Sequence, residues 1–316
     1  NLNKKDLSNI KYYFNRLHYN KFGKDLYQYL ENKKNNLKIF KSKDELCNYF
    51  NWDKKKPIVL ILAHELTDGN LTNKWNLFQN DMFWIVETIK KIINIKNVNW
   101  LIKPHPSEEI YNSKINTKSI FKDYCNNQLN IKLFPDSFES KNLNNFITAA
   151  ITSHGSAGYE FPGLGVPTII CGDTIYSELG FNMEPKTKTQ YFELLEKIKF
   201  FKKIDKEKIR KSQFFSYLFH NLASAIIPII YESNIRMNYD KNEFWEHSLK
   251  LLKKYRLNEN IFSKSLKFQI KSENFILINL NKLQHLKSKF IKSIDIYIIK
   301  NIKKLYLFII DKYFSH

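Results

Sequence analysis

Arginine is scarce in this chain: Arg16, Arg210, Arg236 and Arg256 stand among 51 basic residues, and the rest are lysine. Arginine is the side chain that forks onto phosphate and reads guanine edges. Its scarcity argues against specific nucleic-acid binding, despite a net charge of +20. Cysteine is rarer still. Cys47, Cys125 and Cys171 are odd in number, far apart and outside any CxxC spacing, which excludes a disulfide framework and a structural zinc site and points to a reducing compartment. There is no run of about 18 uncharged apolar residues, hence no expected spanning helix. Also missing are HExxH, a Walker lysine, a DxD pair and a Ser-His-Asp order at lipase spacing. These absences predict chemistry with no metal and no cofactor. The chain opens on Asn1 with no basic-apolar-small leader, as expected of a segment that begins inside a longer protein.

What is present is alternation. A chain of 316 residues holds one large domain or two small ones and needs no staples to bury a core. Residues 1–50 read as an amphipathic helical segment, and Lys54-Lys-Lys-Pro57 breaks the pattern. From there strands and helices alternate. Strands are expected at Ile58–Leu62, Asn99–Lys103, Ile131–Phe134, Ala149–Thr152 and Pro167–Cys171. Helices are expected at Trp75–Ile95, Ile115–Cys125, Ser140–Phe146, Lys188–Lys199 and Lys206–Tyr231. Five β–α units imply an α/β fold with a doubly wound parallel sheet over residues 51–236. In the doubly wound order the first and fourth strands lie side by side, where the strand order reverses and ligands bind.

The loops leaving those two strands are Ala63-His-Glu-Leu-Thr-Asp-Gly69 and Ser153-His-Gly-Ser-Ala-Gly158. The second is built of small residues that let the backbone approach a ligand, and it opens a helix whose N–H groups suit an anion. Its alternative reading is a turn that needs glycine only for its dihedrals. His64, Glu65 and Asp68 are candidates for a general base or equally for solvated loop polars. Lys103-Pro-His-Pro106 ends the second strand, where two prolines aim His105 at a phosphate oxygen or a proton in transit. His154 lies within the glycine turn. Glu160 is placed to reach a ribose hydroxyl. Gly172, Asp173 and Tyr176 follow the fifth strand, with Asp173 and Tyr176 candidates for contacts to a base or sugar.

Residues 237–316 differ in composition and carry about half of the net positive charge. Ile291, Ile294, Ile298, Ile302, Leu305 and Ile309 recur at helical steps between lysines. A basic amphipathic helix of this kind either packs on its own domain or lies on an anionic membrane. Residues 285–316 would be the membrane-facing part.

Lys103-Pro-His-Pro106, Thr152-Ser-His-Gly-Ser-Ala-Gly-Tyr-Glu160, Gly165-Val-Pro167, Tyr176-Ser-Glu-Leu-Gly-Phe181 and Glu184-Pro-Lys-Thr187, in that order, resemble bacterial capsule and surface-polysaccharide biosynthesis proteins. These belong with GT-B glycosyltransferases, near the Kdo transferases that use CMP-Kdo. The motif order is also similar to that of CDP-glycerol glycerophosphotransferases. The resemblance spans about residues 53–200. It implies a nucleotide-sugar donor held through its phosphate by Lys103, His105 and the turn Ser153, His154, Gly155, Ser156, Ala157 and Gly158. Glu160 or Asp173 would then hold ribose or base, with Gly172 and Tyr176 alongside, and His64 or Asp68 would contact the acceptor or take its proton. The acceptor implied is a polysaccharide or a lipid-linked saccharide, at the cytoplasmic face of the membrane. Transfer of a CDP-linked phosphoglycerol group is the alternative the same motifs allow, and a non-catalytic nucleotide-binding module of a capsule assembly is another. Two departures stand out: His154 occupies a position where arginine is expected, and the family's amino-terminal domain would be reduced here to residues 1–50.

Overall fold

The computed structural model describes residues 37–66, 76–110, 113–125, 127–217 and 219. The expected basic helix, residues 237–316 as a whole, Asp68 and most of residues 1–50 lie outside the described residues. Two compact units are distinguished, one of them Asn36–Gln213 and the other made of the two ends of the chain; the site described below belongs to the first.

Five strands form that unit's main sheet: β2 (Ile58–Leu62), β3 (Asn99–Lys103), β4 (Ile131–Leu133), β6 (Ala149–Thr152) and β7 (Thr168–Ile170). They lie in the order β4-β3-β2-β6-β7, and every pairing is parallel. This is the doubly wound order, and the reversal falls between β2 and β6 as the β–α alternation predicts. Alternation of side chains explains why both faces are covered. Val59, Ile61, Trp100, Ile102, Ala149 and Ile151 point to one core, which also takes Trp84, Ile85 and Ile89 of α2 (Asp81–Ile92). Ile58, Leu60, Leu101 and Ala150 point to the other, with Phe40, Leu46 and Phe161. A strand buried on both faces cannot alternate polar with apolar, and that is why these strands read as continuous apolar runs. Each fully buried large aliphatic side chain contributes about 1.5–3 kcal/mol.

Residues 38–50 differ from the sequence expectation. β1 (Lys38–Ile39) pairs in parallel with β5 (Phe138–Glu139), and α1 (Lys43–Phe50) sends Leu46 and Cys47 into the second core. The Lys54–Pro57 break is therefore a turn inside one unit, and the Trp52 indole N–H donates to the Leu129 carbonyl across it at 2.9 Å. α1 is capped by Ser42, which accepts from the Glu45 N–H. The expected Ser140–Phe146 helix is a single 3-10 turn over Leu143–Asn145. Around the sheet lie α3 (Ser107–Ile110), α4 (Thr117–Cys125), α5 (Ala157–Gly163), α6 (Lys188–Lys197) and α7 (Lys206–Tyr217). All three cysteines are buried and unpaired. Among the described residues no helix is long and apolar enough to cross a membrane.

Candidate functional site

Three imidazoles meet at the carboxyl edge of the sheet, each carried there by a different strand. His64 follows β2, His105 follows β3 and His154 follows β6. Parallel register sets them at one height: Leu62 lies beside Lys103 on one flank and beside Thr152 on the other. The His64 ring stacks on His154 with centroids 3.8 Å apart, and on the other side faces His105 at 5.5 Å with planes 16° apart. Burial lowers the His64 pKa to about 3, helped by the two neighbouring imidazoles, so this ring is neutral at physiological pH.

His105 is held by its own loop. Its Nδ1 accepts the Ser107 N–H at 3.2 Å, which leaves the ring proton of the neutral form on Nε2 and makes that nitrogen a donor. The flanking prolines and the Glu108 N–H bond to the His105 carbonyl set the backbone. Lys103 closes β3, and its carbonyl accepts from the Ala63 N–H at 3.0 Å, tying the two loop exits together.

Beneath the rings lies a residue that the motif search passed over. Asp81 is the first residue of α2 and is 3% exposed. It accepts a hydrogen bond from the Ser153 hydroxyl, which also bonds His154 Nδ1 at 2.5 Å. A carboxylate in the first turn of a twelve-residue helix is favoured by the backbone N–H groups there. The signal was present in the sequence. Asp81, Trp84, Ile85, Thr88, Ile89 and Ile92 are the buried stripe of α2, and the one carboxylate on that stripe points where apolar side chains belong.

Several expected ligand contacts turn out to be structural. Ser153 is buried and spends its hydroxyl between Asp81 and His154, so it orients the imidazole and does not face a phosphate. Tyr176 is 2% exposed, and its hydroxyl donates to the Gly155 carbonyl. It supports the turn from below; a Cβ on Gly158 would stand 2.2 Å from its oxygen. Gly172 bridges Asn76, and a Cβ there would meet the Asn76 side chain at 2.5 Å. Asp173 is buried as well, at 2% exposed. Glu65 is buried and accepts from the Ser113 hydroxyl at 2.9 Å. Of the N–H groups at this end of α5, those of Gly158, Tyr159 and Glu160 bond back to the Gly155 and Ser156 carbonyls. α5 is only seven residues long, and Ser156 at its start is exposed and makes no side-chain cap. Ala157 and Glu160 are partly exposed at this end of α5.

Gly155 is where the turn comes against the His64 ring. Its φ is +104°, and a Cβ there would lie 3.0 Å from His64 Nε2. Both the dihedral and the histidine require glycine.

A scan against protein-family models and a search of curated proteins both find no match. Solved structures with similar folds include the UDP-GlcNAc 2-epimerase of Methanocaldococcus jannaschii, at 20% identity over 57% of this chain and 50% of that one, with a TM-score of 0.36. The KpsC protein of Thermosulfurimonas dismutans, a beta Kdo 2,4 transferase, matches at 14% identity over 63% of this chain and 58% of its own, with a TM-score of 0.32. A glycosyltransferase from Rickettsia africae matches at 12% identity, 67% and 51% coverage and a TM-score of 0.32. The chain therefore spans between half and three-fifths of these proteins' lengths.

Proposed function

We propose that this chain transfers a glycosyl group from a nucleotide-linked donor, CMP-linked by the motif resemblance, to a capsular or other surface polysaccharide. The observation that carries the reading is the file of three imidazoles across the strand-order reversal. Lys103 lies at one end of it and the Gly155 turn at the other. A doubly wound sheet binds its ligand at this edge. The donor phosphate would take a hydrogen bond from His105 Nε2 and charge from Lys103, both of which stabilise the negative charge that grows on the leaving nucleotide. The glycosidic carbon–oxygen bond to phosphate breaks, the acceptor oxygen bonds the same carbon, and the acceptor's proton passes to a base. His64, a neutral imidazole at the same edge whose pKa of about 3 makes it a weak base, is assigned the acceptor contact; Asp68, four residues further on, is the candidate for the base. The basic carboxyl-terminal region would keep the enzyme at an anionic membrane face, where lipid-linked acceptors lie.

A thermal-shift screen of CMP, CDP, UMP, UDP and GDP tests the nucleotide, because a ligand of the folded state raises the melting temperature. Stabilisation by a cytidine nucleotide, followed by glycosyl transfer from CMP-Kdo without a new phosphodiester, supports the reading. A phosphodiester product from CDP-glycerol would replace it with phosphoryl-group transfer. Nucleotide binding with no transfer from either donor would leave a binding module.

A further inference from the structure

We propose that His64, Asp81 and His154 form a binding site for a divalent transition cation of the zinc class. Each residue offers one ligand atom, and the three atoms lie within 4.8 Å of one another. The two carboxylate oxygens of Asp81 face different rings: Oδ2 is 3.8 Å from His64 Nδ1, and Oδ1 is 3.7 Å from His154 Nδ1. Those separations are too long for hydrogen bonds. They are close to the spacing of about 3.3–3.5 Å that ligands adopt around a tetrahedral ion with bonds of about 2.0–2.2 Å.

A second, independent feature points the same way. His64 Nδ1 is buried and has no hydrogen-bond partner among the described residues. A buried ring nitrogen without a partner is costly, and a cation seated between it and Asp81 would supply one. The donor set of two imidazole nitrogens and one carboxylate oxygen suits zinc or cobalt and is too rich in nitrogen for magnesium or calcium. The Ser153 hydroxyl lies on two of these atoms, Asp81 Oδ1 and His154 Nδ1; an ion bound there takes its place at Nδ1, and the serine keeps its bond to the carboxylate. Three protein ligands leave one position of a tetrahedral ion for water or an anionic oxygen.

No spacing rule finds these ligands, because they come from two loops and the first turn of α2 and meet only at the strand-order reversal. The site would replace the expectation of metal-free chemistry drawn from absent motifs. It shares His64 with the transfer site but does not rest on the transfer reading. A ligated His64 nitrogen cannot contact the acceptor at the same moment, so the two assignments must be tested apart.

The test uses the full chain without an affinity tag, stripped of metal, and Zn²⁺ or Co²⁺ alone, with no nucleotide present. Equilibrium dialysis should give one tightly held Zn²⁺ per chain, and Co²⁺ should give the visible absorption of a four-coordinate ion. His64→Gln and His154→Gln should each weaken Zn²⁺ binding by at least about tenfold. His105→Gln, a nearby histidine outside the ligand set, should leave it unchanged. If the wild type holds no stoichiometric zinc, or if both ligand variants bind it as well as the wild type, the proposal is overturned. Asp81→Asn, checked by circular dichroism, adds the carboxylate. Should that variant fail to fold, the two histidine variants decide alone.

Discussion

His64 and His154 stack face to face at 3.8 Å although β3, β4 and their helices separate them in the chain. The contact exists because β2 and β6 pair in parallel register at the centre of the sheet. Everything that the site can do follows from that pairing, and so do the expected effects of substitution.

His105→Ala removes the one imidazole whose loop fixes it as an Nε2 donor. Donor-nucleotide affinity or turnover should fall by about tenfold to a thousandfold, as for loss of a single preorganised hydrogen-bond donor. Calorimetric titration with the nucleotide found in the screen reads the change. Unaltered binding and turnover would remove His105 from the site.

Gly155→Val meets two obstacles: a φ of +104° and a Cβ position 3.0 Å from His64 Nε2. Gly180 offers the control, with a φ of +79° and no atom within 4 Å of an added Cβ. Gly180→Ala should cost only the backbone strain, about 1–2 kcal/mol, and retain nucleotide binding. Gly155→Val should lose binding while the circular dichroism spectrum persists. Equal binding by the two variants would show that the approach of Gly155 to His64 is not functional.

Ser153→Ala deletes the hydroxyl that bonds both Asp81 and His154. The buried carboxylate loses a donor, and stability should drop by about 1–3 kcal/mol, measured by urea denaturation. His154 also loses its anchor, so nucleotide affinity should fall further than the stability change accounts for. Ser153→Thr, which keeps the hydroxyl, should recover part of both.

Glu108 gives an acid–base test away from the imidazoles. Burial raises its pKa above the ordinary 4.5, against the bonds that it accepts from the Thr117 N–H and hydroxyl. The folded state therefore holds this proton more tightly than the unfolded chain does. Its contribution to stability is complete below pH 4.5 and is lost as pH rises through the elevated folded value. Glu108→Gln keeps a carbonyl acceptor for Thr117 and cannot ionise. Relative to the wild type it should gain stability as pH climbs above 4.5, then level off. Parallel stability curves for the two proteins would refute the assignment.

Much of this was readable in one dimension. β2, β3 and β6 occupy the residues where continuous apolar runs place them, because a strand covered on both faces has no polar alternation to blur its ends. The helix start at Thr187, with its side chain on the Gln190 N–H, follows from local capping chemistry; α2 begins at Asp81, later than the expected Trp75, behind an Asn80 cap on the Phe83 N–H. Residues 38–50 read otherwise, because a two-residue strand such as β1 exists only through its partner at 138–139. The roles of Tyr176, Gly172 and Ser153 were likewise misplaced. Polar residues after a strand look alike whether they face a ligand or prop up a turn, and only burial separates the two.

The sequence alone determined which segments are the strands of the five-stranded sheet, that this sheet is parallel, and which loops leave its carboxyl edge, since hydrophobic period and loop chemistry are local. Tertiary structure alone decided that His64, His105 and His154 form one file, with Asp81 against His64 and His154. Strand pairing brings together residues that no local interaction couples, and a carboxylate on an apolar helical stripe acquires its purpose only from what stacks above it.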